Sequence, residues 1–168
     1  MKLPLRAEQN QLWHRSVSER GDSSYSELAC QRKEAAMPIL NVKVSARRSP
    51  ELSARINETL LDLTSRVLGK RRDLTAVVID YVDPRDWFVA GKSLEELKQA
   101  SFYFDVKVVD ETNTKAEKAR YVAEAFEAFA AILGDLHNES YVYVQDVRAS
   151  AYGFGGKTQE YRHQHPQE

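Results

Sequence analysis

The feature that most limits what this chain can fold into is an internal copy. Asn41-Val42-Lys43-Val44 returns as Asp105-Val106-Lys107-Val108, and Ala54-Arg55 returns as Ala119-Arg120. Gly69 returns as Gly134 and Gly91-Lys92 as Gly156-Lys157, so the offset stays at 64 or 65 positions throughout. A register held through several motifs means that one supersecondary unit occurs twice. In the first copy, "PILNVKVSA" alternates like a strand, and Ser49-Pro50 supplies an N-cap with proline in the first helical turn. Leu52, Ile56, Leu60, Leu63 and Val67 then recur at helical spacing until Gly69, and "LTAVVIDYV" is a second strand. The second copy runs "FYFDVKVVD", a capping box at Thr114 and Glu117, a helix through Val122, Phe126, Phe129 and Leu133, and the strand "SYVYVQDV". The spacing predicts an α/β (α+β) fold: a tandem βαβ duplication with units 38–92 and 102–157.

A right-handed crossover places each helix over its two parallel strands. Joining the units gives a four-stranded sheet with both helices on one face. The other face, carrying Leu40, Val42 and Val44 or their alternating neighbours, is expected to be apolar and covered by oligomerisation. A solvated face is the second option, because Asn41, Lys43 and Lys107 interrupt the apolar pattern.

Residues 1–36 differ from the rest. They are polar and serine-rich without helical or strand periodicity, which suggests a disordered arm or upstream sequence read in frame by mistake. Lys33-Glu34 can be encoded by a bacterial ribosome-binding core, with Ala35-Ala36 as spacer, so Met37 is expected to be the true start. The domain is then 38–161, followed by a tail at 162–168.

Composition narrows the function classes. A net charge of −1 with 29% charged residues gives no reason to expect a nucleic acid or membrane partner. The longest apolar run, Ala128 to Leu133, is too short to span a bilayer. Cys30 is the sole cysteine, which excludes an internal disulfide and fits a cytoplasmic location. "GFGGKT" lacks the leading glycine of a phosphate loop, and His163-Gln164-His165 has no further ligands nearby. Neither a cofactor nor a metal is expected.

The order Met37-Pro38, "SARRSP", "LGK", "DLTAVVI" and the aromatic-glycine turns "WFVAG" and "YGFGG" resembles the tautomerase superfamily, which includes 4-oxalocrotonate tautomerase and macrophage migration inhibitory factor. The resemblance implies a homotrimer with an inner barrel of three sheets, and a bacterial isomerase suited to aromatic compound degradation. It implies keto-enol proton transfer on a small 2-oxo carboxylate, with Pro38 as catalytic base once it is the amino-terminal residue. An ordinary α-amino group with a pKa of about 8 is mostly protonated at neutral pH. The proline nitrogen would therefore need an apolar, cation-flanked pocket. Ile39, Trp87, Phe88 and Tyr152 are candidate walls, and Arg48 and Lys70 candidate cations.

Arg48 matches the family's carboxylate-binding arginine. Lys70 matches the lysine near the proline of migration inhibitory factor. Tyr141 and Tyr143, on one strand face, match active-site tyrosines of migration inhibitory factor and of cis-3-chloroacrylic acid dehalogenase. The expected substrate-binding set is thus Arg48, Lys70, Tyr141, Tyr143 and Trp87. Phe102 stands where the second unit would carry a proline, leaving one site per subunit. A second-strand arginine is replaced by Val78 and Tyr143, and "VVDETNTK" lacks the paired arginines of dehalogenases and malonate semialdehyde decarboxylases. The rival to the isomerase is a noncatalytic homotrimeric binding module in which a real arm blocks Pro38, with a hydratase- or decarboxylase-type member of the superfamily as a further option.

Overall fold

The computed structural model describes residues 38–166. The arm or mistranslated stretch expected at 1–36, the start at Met37 and the last two residues of the tail lie outside the described residues.

Strand β1 (Ile39–Val44) leads into helix α1 (Pro50–Leu68), and strand β2 (Ala76–Tyr81) returns parallel to β1. The Ser49 side chain caps α1 by accepting the Leu52 amide at 3.1 Å. Gly69 ends the helix at φ 65°, ψ 29°, a left-handed conformation in which any Cβ is disfavoured. A hairpin of β3 (Phe88–Val89) and β4 (Lys92–Ser93) and a single-turn helix α2 (Leu94–Leu97) close the first unit. The second unit repeats the order: β5 (Phe102–Val109), α3 (Lys115–Leu133) and β6 (Tyr141–Val147). A hairpin of β7 (Gly153–Phe154) and β8 (Lys157–Thr158) and helix α4 (Gln159–Gln164) complete it. Residues 162–164, read from the sequence as tail, therefore belong to a capped helix.

The main sheet has the order β2-β1-β5-β6, with β1 and β5 antiparallel at the junction of the two units. Leu40, Val42 and Val44 of β1 and Phe102, Phe104, Val106 and Val108 of β5 face the helices and are almost fully buried. Ile56, Leu60, Tyr121, Ala125 and Phe129 cover them from α1 and α3. Phe102, in the position of a second proline, stacks on Phe129 with ring centroids 4.1 Å apart. Where the helices meet, the hydroxyls of Thr64 and Tyr121 share a buried 2.7 Å hydrogen bond.

The uncovered face differs from the apolar surface expected. Its centre is polar: Asn41 donates to Asp105 at 3.3 Å, and Lys107 pairs with the same carboxylate at 2.7 Å. Among the described residues, the large exposed apolar side chains of this face, Val78 on β2 and Tyr141 and Tyr143 on β6, stand on the two edge strands. The alternation that buries Leu40 and Val106 under the helices necessarily turns their polar neighbours outward.

Candidate functional site

The parallel and antiparallel pairings decide which ends of the strands meet. Pro38 is buried where β1 and β2 begin, and its carbonyl accepts the Ala76 amide at 3.2 Å. Because β5 runs the other way, its finish at Val109 and that of β6 at Val147 lie at this same end. Lys70, just past the Gly69 cap, is buried here, with its Nζ donating to Thr112 Oγ1 at 2.9 Å. The Asn113 side chain closes the corner by donating to the Leu68 carbonyl at 3.0 Å. The Ile39 amide and the Gln159 side chain both approach the Tyr152 hydroxyl. Burial nevertheless dominates and raises that phenol above its ordinary pKa.

Arg48 lies at the opposite end, exposed between β1 and the Ser49 cap. Trp87 and Tyr141 are also at that end, lining a cleft of about 540 Å³ with Phe88, His137 and Glu139. The Tyr141 hydroxyl donates to the Glu139 carboxylate, which holds the phenol's pKa above its usual value. Tyr143 stands on the uncovered face opposite Asp105, more than half exposed. Six residues of strand at ~3.3 Å each put Pro38 and Arg48 about 20 Å apart. Within one chain the structure thus brings Trp87 to Tyr141 and Lys70 to the Pro38 end, but it does not bring the two groups together. Among the described residues, no three His, Cys, Asp or Glu side chains cluster to hold a metal.

Three further side chains were not singled out by the sequence reading. Glu139 and His137 join Tyr141 and Trp87, and Gln159 sits beside Tyr152. Gln159 alone carried a signal, since the repeat places it where the first unit has Leu94.

Comparison with known proteins agrees with this architecture. The family profile described as tautomerase enzyme matches residues 38–97. Probable tautomerase K2 of Dickeya dadantii (strain 3937) is 32% identical over 68 residues, which are 38% of this chain and 96% of that protein. The chain belongs to the tautomerase family. Native fused 4-OT superposes with a TM-score of 0.65 at 19% identity, covering 73% of this chain and 96% of that one. Leishmania major MIF2 gives 0.60 at 17% identity, over 73% and 97% of the two chains. At these identities the superpositions speak for the fold.

The family match also corrects the mechanism. It begins at Pro38, and in this chain Pro38 follows an N-terminal extension, joined to Met37 by a peptide bond. A proline nitrogen in that position is a tertiary amide. Its lone pair is delocalised into the carbonyl and it has no proton to exchange. The expected isomerase, with a catalytic amino-terminal proline shuttling protons between enol and keto forms, is therefore not what this chain presents. Pro38 is instead an internal residue that opens β1.

Proposed function

We propose that the chain is a noncatalytic homotrimeric binding module built on the tautomerase fold, with Pro38 blocked by the residues before it. The observation that carries this reading is the peptide linkage at Pro38, which removes the family's proton carrier while leaving the duplicated βαβ frame intact. The ligand in this reading is a small carboxylate, gripped by exposed Arg48 between the aromatic walls of Trp87 and Tyr141, with Tyr143 supplied by a neighbouring copy. The separation of Arg48 from the Pro38 end favours a site completed across subunits. So do the edge positions of Val78, Tyr141 and Tyr143. One structural relative of this fold is described as a fused 4-OT symmetric trimer, and a trimeric barrel with the polar sheet faces inward is the matching arrangement for this chain. Among the described residues no helix is long and apolar enough to cross a membrane, which is compatible with a cytoplasmic module.

The test is ketonisation of phenylpyruvate or 2-hydroxymuconate by the full chain and by Pro38→Ala. Equal, slow rates are expected from the two proteins. A rate that depends on Pro38 overturns the noncatalytic reading.

A further inference from the structure

The β3–β4 and β7–β8 hairpins are copies at the 65-residue offset, and they differ in what they hold out to solvent. In the second, Gly153 opens the hairpin, and a Cβ there would sit 2.2 Å from the Lys157 carbonyl oxygen, so no side chain fits. In the first, the same position is Phe88, paired with Ser93 and 61% exposed. Ala90 and Gly91 turn this hairpin at φ 49° and 81°, the positive values that a two-residue I′ connection requires. The Phe88 ring lies outside the buried core and lines a cleft instead.

That cleft, of about 540 Å³, falls in the range of small-molecule sites (~300–1,000 Å³). Trp87, Phe88 and Tyr141 give it three aromatic side chains. Among the described residues, Glu139 is the one carboxylate in its lining, and neither lysine nor arginine lines it. His137 adds no charge: its Nδ1 accepts the Glu139 amide at 3.0 Å, so that nitrogen carries no proton and the ring is neutral. Two bonds fix Glu139. Ser101 Oγ donates to its carbonyl at 3.2 Å, and the Tyr141 hydroxyl donates to Oε2 of its carboxylate. Among the described residues Oε1 receives no hydrogen bond, and Glu139 is exposed, so a ligand can reach its charge. Aromatic faces carry negative potential and so does the carboxylate, so every polar element of this cleft favours a cation.

We propose that this cleft binds the alkylated ammonium end of a small betaine-type carboxylate, with the cation turned toward Glu139 and the carboxylate toward Arg48. A trimethylammonium group presents its charge through a coat of methyl groups. The methyls cover the Trp87 and Phe88 rings, and the charge still acts on the ring faces and on Glu139. A carboxylate seated in the cleft itself would be repelled by Glu139. Arg48 is exposed at the same end of the sheet but outside the cleft lining, where it can hold the ligand's other charge. This inference rests on the binding-module reading and deepens it: that reading supplies the carboxylate at Arg48, and the cleft supplies the need for a cation.

The experiment is calorimetric titration of the full chain with 4-(trimethylammonio)butanoate and with 5,5-dimethylhexanoate, which has the same shape without the positive charge. Both titrations are repeated on Glu139→Gln and Phe88→Leu. Saturable binding of the betaine is expected, with the uncharged-head isostere weaker by about tenfold, the scale of a cation in an aromatic site. Glu139→Gln should weaken the betaine by about tenfold and leave the isostere unchanged or tighter, a divergence that a merely structural role would not produce. Phe88→Leu keeps apolar bulk without a ring face and should cost the betaine about threefold. Both side chains are exposed, so both variants should keep the circular dichroism spectrum of the parent protein. No heat from the betaine up to millimolar concentration, or a betaine affinity unchanged in both variants, overturns the proposal. An isostere that binds as tightly as the betaine also overturns it but leaves the small-carboxylate module standing, whereas a Pro38-dependent ketonisation rate removes the module itself.

Discussion

Several residues in this chain have roles set by what surrounds their polar atoms, and the same residue type falls out differently at different places. Lys70 and Arg48 were both expected to grip substrate. Lys70 is 1% exposed and spends a hydrogen bond on Thr112, so it braces the corner between α1 and the loop after β5. Arg48 is exposed beside the start of α1 and remains available to an anion. Tyrosines divide in the same way. Tyr141 and Tyr143 present their hydroxyls at the surface, while Tyr121 is buried in the core, bonded to Thr64, with burial raising its phenol far above the ordinary value. Tyr121→Phe removes that bond and leaves the Thr64 hydroxyl short of a partner. A loss of about 1–2 kcal/mol in urea denaturation is expected, with no change in ligand binding. The sign with pH follows from the raised phenol: the neutral Tyr121 favours the folded state, and its contribution fades as pH climbs above the unfolded tyrosine value of about 10.

At the scale of elements, local hydrogen-bonding chemistry marks where helices begin. Thr114 and Glu117 cap α3 reciprocally, as the sequence motif requires, and Ser93 with Glu96 forms a second capping box at α2. In the latter, backbone and side-chain hydrogen bonds from Ser93 hold the Glu96 carboxyl below its ordinary pKa. Arg85 does the same more strongly to Asp83, which caps the short 3-10 turn at Pro84–Asp86. Carboxyls with depressed folded-state values give stability that is complete above the unfolded value, about 4 for these groups, and is lost as pH falls through the lowered one. Melting temperature should therefore hold steady from neutral pH to about 5 and fall on further acidification. Glu96→Gln should fall less steeply, since its remaining amide cannot gain a proton in that window. The S-x-x-E pattern at residue 93 and the threonine at 158 were both in the sequence. The short helices they start were not, because four or six residues are too few for hydrophobic periodicity to register.

For the whole molecule, the deciding fact is that the two units join through antiparallel β1 and β5. The length of β1 alone keeps Pro38 and Arg48 at opposite ends of the sheet, and the junction decides what joins each of them. It gathers the ends of β5 and β6, the Lys70 corner and α4 at the Pro38 end, and leaves the Glu139 cleft at the other. If copies of the chain assemble as proposed, the edge-strand apolar side chains are where they meet. Val78→Arg should then convert a trimer to monomer in light scattering, while the monomer keeps its circular dichroism spectrum. A trimer that survives this substitution places the interface elsewhere.

The duplicated βαβ order, the Ser49 and Thr114 caps, the Gly69 terminus and the family were all legible in the sequence, because each depends on residues close together in the chain or repeated at a fixed interval. The lack of a free proline amine was equally present in it, since Met37 precedes Pro38 by a covalent bond. Tertiary structure alone decided which polar atoms end up without water. Packing between distant segments buried Lys70 behind Thr112 and took the Gln159 side chain out of water. Those outcomes depend on contacts between residues dozens of positions apart, and a sequence pattern of apolar and polar residues does not say which neighbour, or which absence of one, each buried donor will meet.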